Sequence, residues 1–433
     1  METERDKRQR EAIDCWKRAG LVGTIDGCVG FGKTIMTINW VIKPAFEKFP
    51  NLKCALIVPN NDLVNQWKEK LFGYPVVVRT VNSFINKPAE EWDLIIYDEI
   101  HKYLKGERFS EVLRYKSKWK LGLSGTLTPQ TREILKLFHL PVVDTIPLDY
   151  SIEKNWNNNY QEYNLKVYMT KEESELIKYW DKKYYNILAF LGQGEIDYKV
   201  LKKILFRKVI GYQQKDGQIV TYKSGKRKGQ PIPINHYPYA EELAKELNVP
   251  VSSLIIAAAR ANKIIRDRKK FFYSYPGKIE VIKKILEKFS HRKIIVFTME
   301  REFCDKAALI CNSQSYHGGY TNKKRREIIE KFKKAESGSL FACLALNEGV
   351  DIPNLDFCIN ASYYSTEETN TQRKGRVVRL TSYKRKAIIV NLVTCFHPSV
   401  PGLTQEERWL RKFQATSGSK PITIRSYEEI SEI

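Results

Sequence analysis

The chain is predicted to fold as α/β, with two tandem parallel-sheet domains and a mainly helical insert between them. Three observations predict this. β-rich apolar runs alternate with helical stretches at both ends of the chain, a Gly-rich loop ending in Lys-Thr follows the first such run, and the middle shifts to Tyr, Lys and Asn with long charged helical patterns. The 433 residues, at about 150 residues per domain, suit roughly three compact units.

In the first unit the expected strands are Leu21 to Ile25, Cys54 to Val58, Tyr74 to Val78, Leu94 to Tyr97 and Lys120 to Leu123, with a helix after Gly32 ending near Pro44. The second repeats the grammar with Ile294 to Phe297, Leu340 to Cys343, Phe357 to Asn360 and Ala387 to Val393. The expected boundaries are 1–145, a basic helical bridge over 146–276, 277–400, and a C-terminal helix and tail over 401–433. Within the bridge, Lys223 to Lys228 reads as an exposed basic loop, either a phosphate contact or a solvated charge run. Ala240 to Ile255 has the cadence of two short helices around a turn, a DNA-reading hairpin or a packing unit.

Lys and Arg number 73 against 50 Asp and Glu, a formal charge of +23, so a polyanion is the natural partner. The longest apolar runs, such as Ser252 to Ala261, fall far short of the ~20 residues of a membrane span, and no apolar stretch follows the charged first ten residues as a signal peptide would. The eight cysteines form no CxxC pair and read as reduced core residues of an intracellular, cytoplasmic protein. Cys304 and Cys311 lack neighbours at zinc-ligand spacing.

Two constellations carry chemistry. Gly27-Cys-Val-Gly-Phe-Gly-Lys-Thr34 fits the P-loop pattern between a strand and a helix. Gly27, Gly30 and Gly32 let the backbone curl so that its amides face phosphates, Lys33 would neutralise the β and γ phosphates, and Thr34 would ligate magnesium. Leu94 to His101 is a buried strand ending in two acids, which places Asp98 and Glu99 at the carboxyl edge of a parallel sheet, where ligands bind. Asp98 would hold magnesium through water and Glu99 would polarise the attacking water. ATP and Mg2+ are therefore the expected ligands.

The ordered set of P-loop, Asp98-Glu-Ile-His101, Ser124-Gly-Thr126 and Gln372-Arg-Lys-Gly-Arg-Val-Val-Arg379 resembles a superfamily 2 helicase of the DEIH-box kind, across both α/β units. That resemblance implies two RecA-like domains. It makes Gln9 the adenine reader, His101, Ser124 and Thr126 the link between ATP and strand, and Pro59, Asn60, Gln66, Thr80 and Asn82 contacts to the tracked backbone. In the second unit it implies strand contacts at Phe297, Thr298 and His317, nucleotide contacts at Gly349 and Asp351, a water-holding Gln372, and arginine fingers at Arg376 and Arg379. An always-charged, planar guanidinium suits charge spreading over phosphate oxygens. Ala342-Cys343 replaces the Thr that often precedes the Gly349 segment.

The wording of several segments is most similar to DNA-acting members, the UvsW-like branched-DNA helicases of large bacteriophages and XPB-like repair helicases. An ATP-dependent helicase or translocase on single-stranded, forked or branched DNA is the implied function, in replication, recombination or repair. An RNA-remodelling ATPase on the same fold and the motor subunit of a restriction system are the alternatives. A helicase-shaped binding module that has lost catalysis would have no need of Lys33, Asp98, Glu99, Arg376 and Arg379 together.

Overall fold

In the computed structural model the described residues are 2–86, 91–104, 106–191, 198–215, 218–224, 227–343, 352–362, 367–379, 385–417 and 421–432. They fall into two compact units, one of Met1–Val167, Tyr273–Cys395 and Thr404–Ile433, the other of Tyr168–Phe272 with Phe396–Leu403.

The larger unit holds both predicted sheets. Strands β1 Val22–Gly27, β2 Cys54–Val58, β3 Val76–Thr80, β4 Trp92–Asp98, β5 Ser117–Ser124 and β6 Val142–Ile146 form one parallel sheet in the order β3-β2-β4-β5-β1-β6. Its strands are apolar on both faces because helices cover both. Cys54, Leu56, Val58, Leu94 and Ile96 join one core, while the alternate residues Ala55, Ile57, Ile95 and Tyr97 join another. Strand β5 lies between β1 and β4, so the loops leaving the three strands meet at the carboxyl edge, where ligands of such sheets bind.

Strand β7, Tyr160–Tyr168, follows the first sheet in sequence. The smaller unit contains the antiparallel pairs β8 Lys208–Tyr212 with β11 Pro233–His236 and β9 Gln214–Lys215 with β10 Gln218–Ile219. Its helices are Lys171–Phe190, Tyr198–Leu205, Pro238–Leu247 and Val251–Tyr273, packed through Tyr184, Leu188, Leu201, Leu243, Leu254 and Ala258. The insert is thus helical with two short antiparallel strand pairs. Of the expected pair of short helices, the first stops at left-handed Asn248 (φ 52°), but the second runs for 23 residues. The chain offers it no Gly or Pro until Pro276. Lys223, Arg227 and Lys228 of the basic loop are exposed.

The second sheet contains β12 Lys293–Thr298, β13 Gln314–His317, β14 Gly338–Cys343, β15 Phe357–Asn360, β16 Ala387–Cys395 and β17 Ile422–Ile424, in the order β13-β14-β12-β15-β16-β7-β17. It therefore takes one strand from ahead of the insert and one from the tail. Lys278 and Glu406, both fully buried, meet at 2.9 Å beneath it, and Glu406 also accepts from the Thr394 amide. With both sheets parallel-stranded in their α/β lobes, the fold is two RecA-like domains. Among the described residues no helix is long and apolar enough to cross a membrane.

Candidate nucleotide site

The loop from Gly27 to Lys33 joins β1 to the helix Lys33–Thr37. Gly30 (φ 88°) and Gly32 (φ 90°) occupy left-handed backbone that costs a side-chain-bearing residue energy. The carbonyls of this loop are taken by side chains. Lys33 Nζ donates to Gly27 O at 2.7 Å, Asn157 Nδ2 to Val29 O at 2.9 Å, Arg5 to Gly30 O, and Arg5 Nε and Gln9 Nε2 to Phe31 O at 3.0 and 2.9 Å. Of the loop amides, that of Cys28 donates to Ile146 O and that of Phe31 to Cys28 O, so only part of the curl is left to serve as an anion nest.

Gln9 is carried by the helix Glu4–Arg18, started by a capping box between Thr3 and Asp6 and tied to β6 by a forked pair from Arg8 to Asp144 at 2.7 and 2.8 Å. Its amide nitrogen is used, while its buried Oε1 has no partner among the described residues.

Strand β4 ends in Asp98. Its Oδ2 accepts from the Trp67 indole N–H at 2.8 Å and its Oδ1 from the Glu99 amide at 3.1 Å, while the Tyr103 hydroxyl holds its carbonyl at 2.7 Å. Burial, with Glu99 next to it, pushes the Asp98 carboxyl up to about 6 despite the Trp67 hydrogen bond and Lys33. Glu99 has a left-handed backbone (φ 50°), which points to a functional constraint. Burial would raise its carboxyl, but His101, Lys33, Lys102 and Arg376 together hold it below the ordinary range. The two neighbouring acids are thus driven apart, one toward the neutral form and one toward the anion.

His101, fully buried, links the acids to the third segment. Its Nδ1 lies 2.8 Å from Ser124 Oγ, 3.5 Å from Thr126 Oγ1 and 3.5 Å from Glu99 Oε2. The structure brings these predicted coupling residues together. Gly125 packs so closely that an added Cβ would strike Gly27 O and Lys33 Nζ.

From the second lobe, the helix Glu367–Val377 reaches the same place. Arg373 is buried, donates to Ser362 O at 3.0 Å and stacks on Phe297 with 4.9 Å to the ring centroid. Lys374 pairs with Glu162 of β7 at 2.7 Å. These contacts pin the helix with Gly375 against Val29, where a Cβ would overlap the valine side chain. Arg376 follows, nearly buried and close enough to Glu99 to bear on its ionisation. Arg379 bridges antiparallel to Asn157. The Gln372 side chain, Gly349 and Asp351 lie outside the described residues.

The predicted strand contacts divide. Asn60 caps the helix Asn61–Lys70 through Leu63 N at 2.9 Å, and Thr80 caps Val81–Ile85 through Ser83 N at 3.3 Å. With half-buried Pro59 and Gln66 and exposed Asn82, they follow the carboxyl ends of β2 and β3. His317 is buried, 3.0 Å from Asp305 and stacked on Tyr320, and its Nδ1 accepts from the Gly319 amide. Phe297 and Thr298 are core residues, with 1% and 0% of their surface exposed, the first beneath Arg373 and the second bonded to Ala342 O. A β-strand run that apolar leaves no side-chain face for a ligand.

Sequence reasoning missed Arg5, Asp26, Arg132 and Asn157. Asp26, the last side chain of β1 before the P-loop, pairs with Arg132 at 2.5 Å, and burial raises its carboxyl. A charge inside an apolar strand was its signal. The others gave none, since their partners lie far off along the chain.

Residues 277–381 match the helicase conserved C-terminal domain. Along 409 residues the chain is 24% identical to the DNA 3'-5' translocase XPB2 of Sulfurisphaera tokodaii, covering 89% of this chain and 80% of that protein. It is 29% identical to the mitochondrial ATP-dependent RNA helicase MSS116 of Saccharomyces cerevisiae over 28% of this chain and 20% of that one. The Hef helicase domain of Pyrococcus furiosus shares the fold over 95% of this chain and 99% of its own, with a TM-score of 0.54 at 15% identity. Dbp5 of S. cerevisiae, solved with RNA and ADP BeF3, does so over 96% and 89%, with a TM-score of 0.54 at 12% identity. The match of residues 277–381 to the helicase conserved C-terminal domain and the similarity to a translocase along most of the chain indicate a nucleic-acid-dependent ATPase of the helicase kind, and the solved structures share its two-lobed fold.

Proposed function

We propose that the protein is an ATP-driven DNA helicase or translocase working on single-stranded, forked or branched DNA in replication, recombination or repair. The observation that supports this best is the approach of the Gly375–Arg379 segment to the P-loop, with Gly375 against Val29, Arg376 bearing on Glu99 and Arg379 bridging to Asn157.

In this reading the loop amides and Lys33 bind the β and γ phosphates, and Gln9 Oε1 accepts from the adenine. Thr34 and Asp98 would hold Mg2+, a hard cation that needs few protein oxygens and suits a buried carboxyl whose ionisation is resisted until a cation arrives. Mg2+, when bound, neutralises phosphate charge. Glu99, kept anionic by its cationic neighbours, orients the attacking water with Gln372. Arg376 and Arg379 stabilise charge on the transferring phosphoryl oxygens, and Gly349 and Asp351 face the nucleotide. His101, Ser124 and Thr126 pass the state of Glu99 to the strand-gripping loops at Pro59, Asn60, Gln66, Thr80 and Asn82, with the loop that His317 braces through the Gly319 amide opposite. Phe297 acts from beneath, by supporting Arg373 and its helix, while Thr298 ties β12 to β14 through Ala342 O.

ATP can then draw the lobes together and hydrolysis release them, which moves the grips along the strand. DNA is favoured over RNA because the similarity to a DNA translocase runs along 89% of the chain, while that to an RNA helicase covers 28%. ATPase stimulation by single-stranded, forked, Holliday-type and duplex DNA and by RNA, measured at several salt concentrations, tests this. Preference for RNA would overturn the DNA reading, and full hydrolysis by Arg376→Ala and Arg379→Ala would overturn the shared site. Co-purification with a nuclease would favour a restriction motor.

A further inference from the structure

We propose that Asn157 is a positioning residue that fixes the register between the P-loop and Arg379, which rests on the reading that these two share one triphosphate. Asn157 stands in the short stretch between the helix Leu148–Glu153 and β7. Two of its connections and one of its neighbour's converge. Its Nδ2 donates to Val29 O at 2.9 Å, its main chain bridges antiparallel to Arg379, and the next residue, Asn158, donates its amide to Val378 O at 2.7 Å. The Asn157 side chain therefore holds the nucleotide loop, while the backbone at Asn157 and Asn158 pairs with Val378 and Arg379.

The stretch around it is stiff. The amides of Trp156 and Asn157 both bond Ser151 O, and the Trp156 ring packs on Phe31 of the P-loop and on Tyr150, with centroids 5.9 and 5.6 Å apart. Asn157 is 2% exposed, and its Oδ1 has no partner among the described residues although it is buried against Gly30. A Cβ at position 30 would overlap that oxygen, so the Asn and the glycine fit only as a pair. An amide used solely to fill space here is a poor solution, because a buried unpaired carbonyl costs stability that an apolar side chain of the same size would not. The donor on Val29 O has a definite effect instead. It turns that carbonyl away from the nest while the backbone on its other side sets where the Arg379 guanidinium begins.

Steady-state hydrolysis by the full chain with saturating DNA, and its dependence on ATP, tests this with Asn157→Ala and Asn157→Asp. Aspartate keeps the shape but sets a carboxylate oxygen against Val29 O. Both variants are expected to lose on the order of ten- to a hundredfold in kcat, the range for a small misplacement of reacting groups, with a much smaller change in KM. Asn157→Asp should lose at least as much as Asn157→Ala, which packing alone does not require. A kcat within a few-fold of the parent for both variants, with Arg379→Ala inactive, would overturn the positioning role alone. Arg379→Ala retaining full hydrolysis would instead overturn the shared site beneath it. A loss confined to the melting temperature, with kcat intact at a temperature where the fold persists, would assign Asn157 to packing.

Discussion

The Trp67 indole N–H donates to Asp98 Oδ2 at 2.8 Å, so a residue of the helix after β2 supports the carboxylate that ends β4. Hydrogen bonds to a charged group contribute about 1.5–3 kcal/mol, and this one favours the anion. Trp67→Phe is therefore expected to move the Asp98 ionisation upward by about one unit or more. Nucleotide binding in the presence of magnesium, followed by fluorescence across pH 5 to 8, should show its acidic limb displaced toward higher pH. An unmoved limb would mean that the indole only packs.

A second expectation concerns pH in the parent. Burial and Glu99 raise Asp98 from 3.8 to about 6, so its folded state takes up a proton more readily than the unfolded chain. The sign follows from linkage. Without nucleotide, the ionised group weighs against folding above about pH 6, and that penalty is relieved as pH falls from about 6 toward 4. Asp98→Asn should thus raise the nucleotide-free melting temperature at pH 7 while abolishing hydrolysis. A lower melting temperature would show that the carboxylate is already well compensated.

The Lys278–Glu406 pair offers a stability test remote from the site. Both side chains are fully buried, and Glu406 Oε1 and Oε2 lie 2.9 and 3.0 Å from the ammonium. Lys278→Met leaves an uncompensated buried carboxylate and should cost about 3–5 kcal/mol in urea denaturation. Adding Glu406→Gln should recover a good part of that, because the penalty lies in the orphaned charge. Two additive losses would contradict it.

Gly375→Ala puts a methyl group where Val29 already stands. Hydrolysis is expected to fall by about tenfold or more, and Val29→Ala in the same chain should restore part of it by vacating the space. ATPase of the two single variants and the double variant decides the matter.

Much of this was legible from residues alone. The P-loop, the acids ending β4 and the arginine helix announce themselves because spacing and flanking apolar runs encode them locally. The second sheet was less open to reading. Strand β7 carries Glu162 and Asn164, which look like solvent residues, yet both are buried and bonded to Lys374 and Asn391. Their partners stand more than two hundred positions later, so nothing in the local pattern could mark the segment as core. Short β17 was likewise hidden in a polar tail. The buried Phe297 and Thr298 show a different limit, in that a motif position says nothing about which way a side chain faces.

The membership of β7 in the second sheet also changes where that lobe may be cut. A fragment beginning at 277, where the recognisable C-terminal region starts, would leave β16 with a bare rim of amides and carbonyls once β7 and β17 lost their places. Such a piece should self-associate through that rim. Supplying residues 157–168 in trans should bring it back to a monomer, as a missing stave closes a barrel.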